Sequence, residues 1–408
     1  MLGLDASRGR LSGPNAALMT MVVTGLAMAA WSVIVDKVHR NPSTGIDWDN
    51  KRSAAQALET ATTKLAGLWA TWVLIGLIYA LGRWYWEGQY LFAMRVIGAA
   101  AIPLFILSVP YVIWLDRVMK NPRDHAWHFG AMLIGREAWD SAQVKKHWRA
   151  WIIKGFFGAF MISILPGGFA SVVDAELSAI VNDPVRLGVF LFELLFVIDV
   201  QIGTVGYLLT LRPLDAHIRS GNPFLAGWVA ALICYPPFVF AFMGNGGIIQ
   251  YEYNTADWGY WLGGSGALLW VWALWLVFLT AVYAWATIAF GIRFSNLTYR
   301  GVLTHGPYRF TRHPAYVSKN LFWWCSAMPF LVTSETTLDA VRNTCFLGIV
   351  SAIYYWRART EEAHLLAEDP KYREYYDWME QHGLITAPLS RLLKRVNPRK
   401  RVVVQPAE

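Results

Sequence analysis

Residues 301–320 read GVLTHGPYRFTRHPAYVSKN, and residues 356–376 read WRARTEEAHLLAEDPKYREYY. Both are polar islands beside apolar runs. The first gathers Arg309, Arg312, His305 and His313 around Gly306 and two prolines, with Tyr308 and Tyr316 adding aromatic faces that end in a hydroxyl. In the second, Arg357 and Glu361 stand four residues apart and can meet along one helix face. The adjacent Glu361 and Glu362 point about 100 degrees apart, so one can face a ligand while the other holds an arginine. Arg357 and Glu362, five apart, do not make an ideal intrahelical pair and can contact different parts of a complex. An arginine fork grips a carboxylate and a glutamate holds an ammonium. Aromatic rings cover an adenine or lie against a sulfonium cation. Together these residues suit a zwitterionic or anionic cofactor. The plainer reading of the same pattern is positive-inside anchoring followed by a salt-bridged amphipathic helix.

Other polar groups carry less. Glu193 and Asp199 sit in FELLFVIDVQIG, where an unpaired carboxylate is expensive and marks an ion pair, path or cavity. Six residues apart, they do not share a helix face, and Lys154 and Arg95 are candidate mates. His125 and His128, with His147 later, could share a metal, but no His-Glu-x-x-His pattern completes a site and no metal is expected. The Gly263-Gly264-Ser265-Gly266 run has no P-loop lysine and reads as helix packing and turns. Cys234, Cys325 and Cys345 lie in apolar runs without a disulfide pattern and read as buried structural thiols.

The elements that must position these residues follow from composition. Of 408 residues, 55% are hydrophobic and 16% charged, against about 25% charged in soluble proteins. Mean hydropathy is +0.33. A polytopic helical membrane protein is therefore expected, and soluble enzymes, disordered chains and disulfide-stapled domains fit poorly. The net charge of +8 does not point to nucleic acid, because many basic residues occupy short loops beside apolar segments. Nine stretches are apolar enough to span: 16–36, 64–82, 91–114, 150–169, 187–211, 224–243, 265–291, 317–333 and 341–356. The first reads as a retained helix rather than a signal peptide. Alternate connections and the tail from Arg357 carry 28 Lys and Arg, whereas the opposite side carries 5. That asymmetry places the N-terminus outside and the C-terminus in the cytoplasm. Residues 115–149 are long enough for an interfacial amphipathic helix, and the outer loop 244–264, without Lys or Arg, caps the bundle or lies on the membrane.

The ordered set Gly306-Pro307-Tyr308-Arg309, Arg312-His313-Pro314-x-Tyr316, Arg357, Glu361-Glu362-x-x-Leu365 and Tyr372/Tyr376 resembles the isoprenylcysteine carboxyl methyltransferase and phospholipid methyltransferase superfamily of integral-membrane enzymes. The likeness covers roughly residues 265–380. Its specific part is the RHPxY and EExxL pair around a membrane hairpin. It implies S-adenosylmethionine bound by a helical hairpin and its cytoplasmic connector, without a Rossmann domain. Residues matching Gly306, Tyr308, Arg312, His313, Pro314 and Tyr316 would form the cofactor pocket, and Glu361 and Glu362 its polar wall. Arg357 and Glu362 would stand near the transferring chemistry. Ser318 replaces the Gly of many relatives.

The resulting division is a scaffold or substrate-specific region at 1–264, a methyltransferase-like core at 265–380 and a basic cytoplasmic tail at 381–408. A lipidic or small hydrophobic acceptor would enter from the bilayer, with membrane lipids as surroundings. The alternatives are an NADPH-dependent sterol-type reductase, which EExxL and GPYR disfavour, and a transporter or lipid-binding scaffold, which leaves the C-terminal cluster unexplained. A bacterial inner membrane is the expected location.

Overall fold

Long apolar helices leave large side chains on the outside of this chain: Leu26 on the first helix and Ile102 on the third are 67% and 72% exposed. In water such surfaces would associate, whereas hydrocarbon accepts them and demands only that backbone groups be paired within the helix. The computed structural model describes residues 12–135, 138–244 and 246–396. In chain order these form α1 (Gly13–Ile34), α2 (Ala54–Leu81), α3 (Tyr90–Val118), α4 (His125–Ile134), α5 (Ser141–Val173), α6 (Leu177–Ile180), α7 (Pro184–Leu208), α8 (Leu225–Leu232), α9 (Phe238–Phe242), α10 (Trp258–Leu262), α11 (Gly266–Phe290), α12 (Pro314–Ala327), α13 (Thr337–Glu368), α14 (Pro370–His382) and α15 (Thr386–Val396). The only strands among the described residues are β1 (Ser220–Gly221) and β2 (Thr298–Tyr299), paired antiparallel with Ser220 opposite Tyr299.

Among the described residues five helices, α1, α2, α3, α5 and α11, are long and apolar enough to cross a membrane. The chain is thus an all-α protein of membrane type, and the nine-span expectation needs revision in detail. Stretch 224–243 is not one helix. It splits into α8 and α9 around Tyr235-Pro236-Pro237, where two prolines offer no N–H to the helical ladder. Stretch 317–333 also shortens: α12 stops at Ala327 because Met328 adopts a left-handed φ of 42° and Pro329 follows. Its 14 residues reach about 21 Å, short of a hydrocarbon core of about 30 Å. Conversely, 341–356 is only the apolar half of α13, which continues as one 32-residue helix into the charged segment.

Close helix contacts set the scaffold. Gly67 of α2 faces Gly130 of α4 so tightly that a Cβ at Gly67 would stand 2.5 Å from Ala126 O and 2.6 Å from Gly130 N. Side chains larger than hydrogen would push the two helices apart. Buried Lys64 of α2 pairs with Asp116 of α3 at 2.5 Å and reaches Asp124 at 3.3 Å, tying both helices to the start of α4. Helix α7 lies against α11, with the position of a Gly188 Cβ 3.2 Å from that of Ala273. The early and late parts of the chain therefore share a packed interface.

The thiols depart from expectation, for Cys234 and Cys325 are half-buried and Cys345 is exposed. Ser265 of the glycine run caps α11, accepting from Leu268 N at 3.4 Å.

Candidate functional site

The connector from α11 to α12 is held in place before any polar side chain is considered. Its β2 strand pairs with β1, and buried Arg300 donates from Nη1 to the carbonyls of Gly206 and Phe294 at 3.0 and 2.8 Å and from Nη2 to that of Ala216. Gly306 turns the chain with a φ of +60°, where a Cβ would meet Ala289 at 3.2 Å. Tyr308 then packs edge-on against Phe290, and its carbonyl accepts from Tyr375 Oη of α14 at 2.7 Å. Pro314 occupies the first turn of α12, where a missing N–H costs nothing.

Helices α12 and α13 meet through pairs that run in opposite directions along the two chains. His313 touches Glu362, Tyr316 touches Glu361, Trp323 packs on Tyr354, and Trp324 donates to Ser351. At the polar end, Glu361 Oε1 accepts from Tyr316 Oη at 2.5 Å and from Arg357 Nε at 3.2 Å. Arg357 is 3% exposed and spends Nη2 on Asn296 Oδ1 at 2.7 Å, with Tyr235 Oη at 3.5 Å. Its guanidinium also lies 5.3 Å from the Tyr235 ring and 5.2 Å from the Tyr316 ring.

Glu362 turns the other way and is 2% exposed. Its carboxylate is surrounded by Arg312 Nε at 2.7 Å, His313 Nε2 at 3.0 Å and Arg359 Nη1 at 2.5 Å. Burial alone would push this carboxyl up. The His313 contact and the Arg312 and Arg359 charges overcome it and hold the group below its ordinary value. Arg312 is further fixed over the Tyr376 ring at 3.9 Å, and Arg359 donates to Tyr376 Oη at 3.1 Å. The His313 ring stacks nearly parallel on Tyr316, so the two glutamate clusters are joined through that pair.

A cavity of about 170 Å³ opens beside these clusters. Tyr308, Arg312, His313, Tyr316, Arg357 and Glu361 line it; Gly306, Pro314 and Glu362 do not. Of the paired glutamates, therefore, Glu361 faces the cavity and Glu362 braces residues that do.

The wall also holds Tyr235, Asn296, Lys319, Tyr354 and His364, which the sequence pattern does not single out. Asn296 comes from a short irregular loop, and Tyr235 from the break between α8 and α9, so neither carries a periodic signal. Lys319 could have been noticed as a lone cation in an apolar helix. Its Nζ stands among the rings of Tyr283, Trp323 and Tyr354 at 5.4, 5.1 and 5.7 Å. His364 Nε2 lies 3.0 Å from Ser220 Oγ of β1.

The remaining candidates fall elsewhere. Asp199 is buried with Tyr283, Thr287 and Lys319 as neighbours, not Lys154 or Arg95, while Glu193 is exposed. Lys154 donates instead to Thr210 Oγ1 at 2.6 Å. His125 and His147 bring their Nδ1 atoms within 3.1 Å, but His128 Nδ1 accepts from Asp140 N. Among the described residues no three His, Cys, Asp or Glu side chains gather as a metal set.

No protein-family model, curated protein or solved structure matches this chain.

Proposed function

We propose that this chain is an integral-membrane methyltransferase that uses S-adenosylmethionine and acts on a lipidic or small hydrophobic acceptor. One observation carries the reading: two polar segments some 45 residues apart put Arg312, His313, Tyr316, Arg357 and Glu361 on a single cavity wall. The donor set fits a zwitterion. Among the described residues, only Oε1 of Glu361 is taken by hydrogen bonds, which leaves Oε2 to accept from an ammonium. Arg312 and Arg357 are placed to take a carboxylate, and Tyr308, Tyr316 and Tyr235 give faces for an adenine or a cation. The volume is below the roughly 300–1,000 Å³ usual for ligand pockets, so the cofactor would extend through the mouth.

When bound, S-adenosylmethionine supplies a methyl group on cationic sulfur. The chain's own contribution is then alignment and exclusion of water. Arg357, locked by Glu361 and Asn296, presents a fixed cation to one end of the cavity. Glu362 is a positioning residue: it holds Arg312 and His313 in the wall without reaching the cavity itself. The main competitor, an NADPH reductase, needs free positive charge for several phosphates. Here Arg312 and Arg357 are each matched by a carboxylate, and Arg300 is spent on backbone carbonyls. Arg293 and Lys319 line the same wall without an ion pair among the described residues, so the preference for the zwitterion rests on Glu361, whose open Oε2 attracts an ammonium and repels a phosphate.

In this reading the cavity opens on the cytoplasmic side of a bacterial inner membrane, with the N-terminus outside and nine crossings, of which residues 225–242 form a broken one and α12 a short one that residues 328–333 complete. Reporter fusions after residues 258 and 380 should report opposite sides, with 380 cytoplasmic, and same-side labels would refute the orientation. The activity is tested by incubating the detergent-solubilised protein with methyl-tritiated S-adenosylmethionine and a membrane lipid extract. Label should pass into the organic phase, and much less with Arg357→Ala. Labelling no greater than a no-protein control, with NADPH oxidised by the same extract, would overturn the assignment.

A further inference from the structure

A second cavity, of about 430 Å³, lies between residues 119–128, the start of α5 and the 212–219 connection. Five cationic side chains line it, Lys120, Arg123, Lys146, Arg212 and Arg219, against two carboxylates, Asp124 and Asp140. Asp124, Asp140 and, outside the wall, Asp215 leave Lys120 and Lys146 without an ion pair among the described residues. Asp124 Oδ2 is shared between Arg212 at 3.7 Å and Lys64 at 3.3 Å, the latter outside the wall. Asp140 uses Oδ1 to cap α5, accepting from Ala142 N at 2.8 Å. Arg219 is tied to Asp215 through Nη2 at 3.1 Å, while its buried Nε finds no acceptor among the described residues. Lys146 makes no ion pair or hydrogen bond among the described residues.

Two imidazoles of the wall, His125 and His217, add no charge. Burial, helped by Arg212 and Arg219, pushes His217 down to about 3. Burial outweighs the pull of Asp124 on His125 and, with Arg212 and Lys146 adding to it, brings that ring to about 4. Both are neutral at pH 7, and His217 Nδ1 is buried without a partner. The cavity thus combines surplus positive charge with unspent polar nitrogens, a setting that a compact, oxygen-rich anion satisfies.

We infer that this second cavity binds a phosphate group, either the headgroup of an anionic lipid or inorganic phosphate. Lys146 supplies unmatched charge, Arg219 offers an Nε that its pairing with Asp215 leaves without an acceptor, and Arg212 adds a guanidinium whose one carboxylate among the described residues is shared. Arg219 also links the two cavities. Its guanidinium lies 5.7 Å from the Tyr299 ring, and a Cβ on Gly301, which lines the first cavity, would meet its Nη1 at 3.5 Å.

The test is binding, so it stands apart from the methyl-transfer reading. The full chain in detergent is titrated calorimetrically with inorganic phosphate. Its thermal midpoint is also measured in phosphatidylcholine nanodiscs with and without phosphatidic acid. Free phosphate binding that weakens at least tenfold in Lys146→Gln and survives in Lys146→Arg supports the site with a soluble ligand. A midpoint raised by phosphatidic acid in wild type but not in Lys146→Gln supports it with a lipid headgroup. If neither probe acts on the wild type, or if folded Lys146→Gln and Arg219→Gln both respond as wild type does, the site is refuted. Lys146 is only half-buried and unpaired, so its substitution keeps the test open should Arg219→Gln fail to fold.

Discussion

Arg357→Ala is expected to lower methyl transfer at least a hundredfold, equivalent to about 2.7 kcal/mol of lost transition-state stabilisation. The residue is 3% exposed and is fixed by Glu361 at 3.2 Å, by Asn296 at 2.7 Å and by two tyrosine rings. Truncation removes the cation and also frees Glu361 and Asn296 to move. Lysine cannot reproduce the fork that reaches both partners at once, so Arg357→Lys should recover only part of the loss. A structural effect accompanies the catalytic one, because Glu361 is left beside the cavity without its arginine. Turnover, cofactor affinity and thermal midpoint must therefore be measured together. A folded Arg357→Ala protein with wild-type turnover would remove Arg357 from the site.

The largest stability effect should come from Glu362. Its carboxylate is nearly inaccessible and faces three cationic or imidazole partners, and breaking a buried pair by removing one member costs about 3–5 kcal/mol. Glu362→Ala should show that loss as a lower thermal midpoint. Glu362→Gln keeps the shape and should lose less. The pH dependence has a definite sign. The folded-state value of Glu362 is depressed, so its contribution is fully present above the ordinary glutamate value of about 4.3 and is lost as pH falls through the lower folded value. The wild-type advantage over Glu362→Gln should fade as the pH falls below the ordinary glutamate value. Cofactor affinity should weaken roughly tenfold in the same variant, since Arg312 and His313 lose their brace. Equal midpoints for wild type and Glu362→Gln at pH 7 would contradict this role.

Helix identity was legible where apolar length alone decides it. The runs that became α1, α2, α3, α5 and α11 need no tertiary partner to be read. Breaks were harder: Pro236 and Pro237 lie in a window whose mean hydropathy still suits a span, yet they interrupt the backbone ladder that a span requires. At the site, the i,i+4 spacing of Arg357 and Glu361 foretold their contact, because helix geometry fixes it. Which of two adjacent glutamates faces a cavity depends on the rotation of α13 against α12, and spacing within one helix does not contain that angle. Asn296 and Tyr235 were invisible for the same reason. They reach Arg357 across 61 and 122 residues of chain, from a loop and a helix break whose placement is set by packing. Asp199 shows the reverse case, in which sequence marked the residue but not its neighbours on α11 and α12.

In the proposed function the cavity beside α12 and α13 holds S-adenosylmethionine. Isothermal titration calorimetry on the purified, detergent-solubilised chain tests it most directly, using S-adenosylmethionine, S-adenosylhomocysteine and NADPH in parallel. Saturable binding of the two adenosyl ligands near one equivalent is predicted, at least tenfold weaker in Arg357→Ala, with no heat from NADPH. Saturable NADPH binding with no response to either adenosyl ligand would contradict the account.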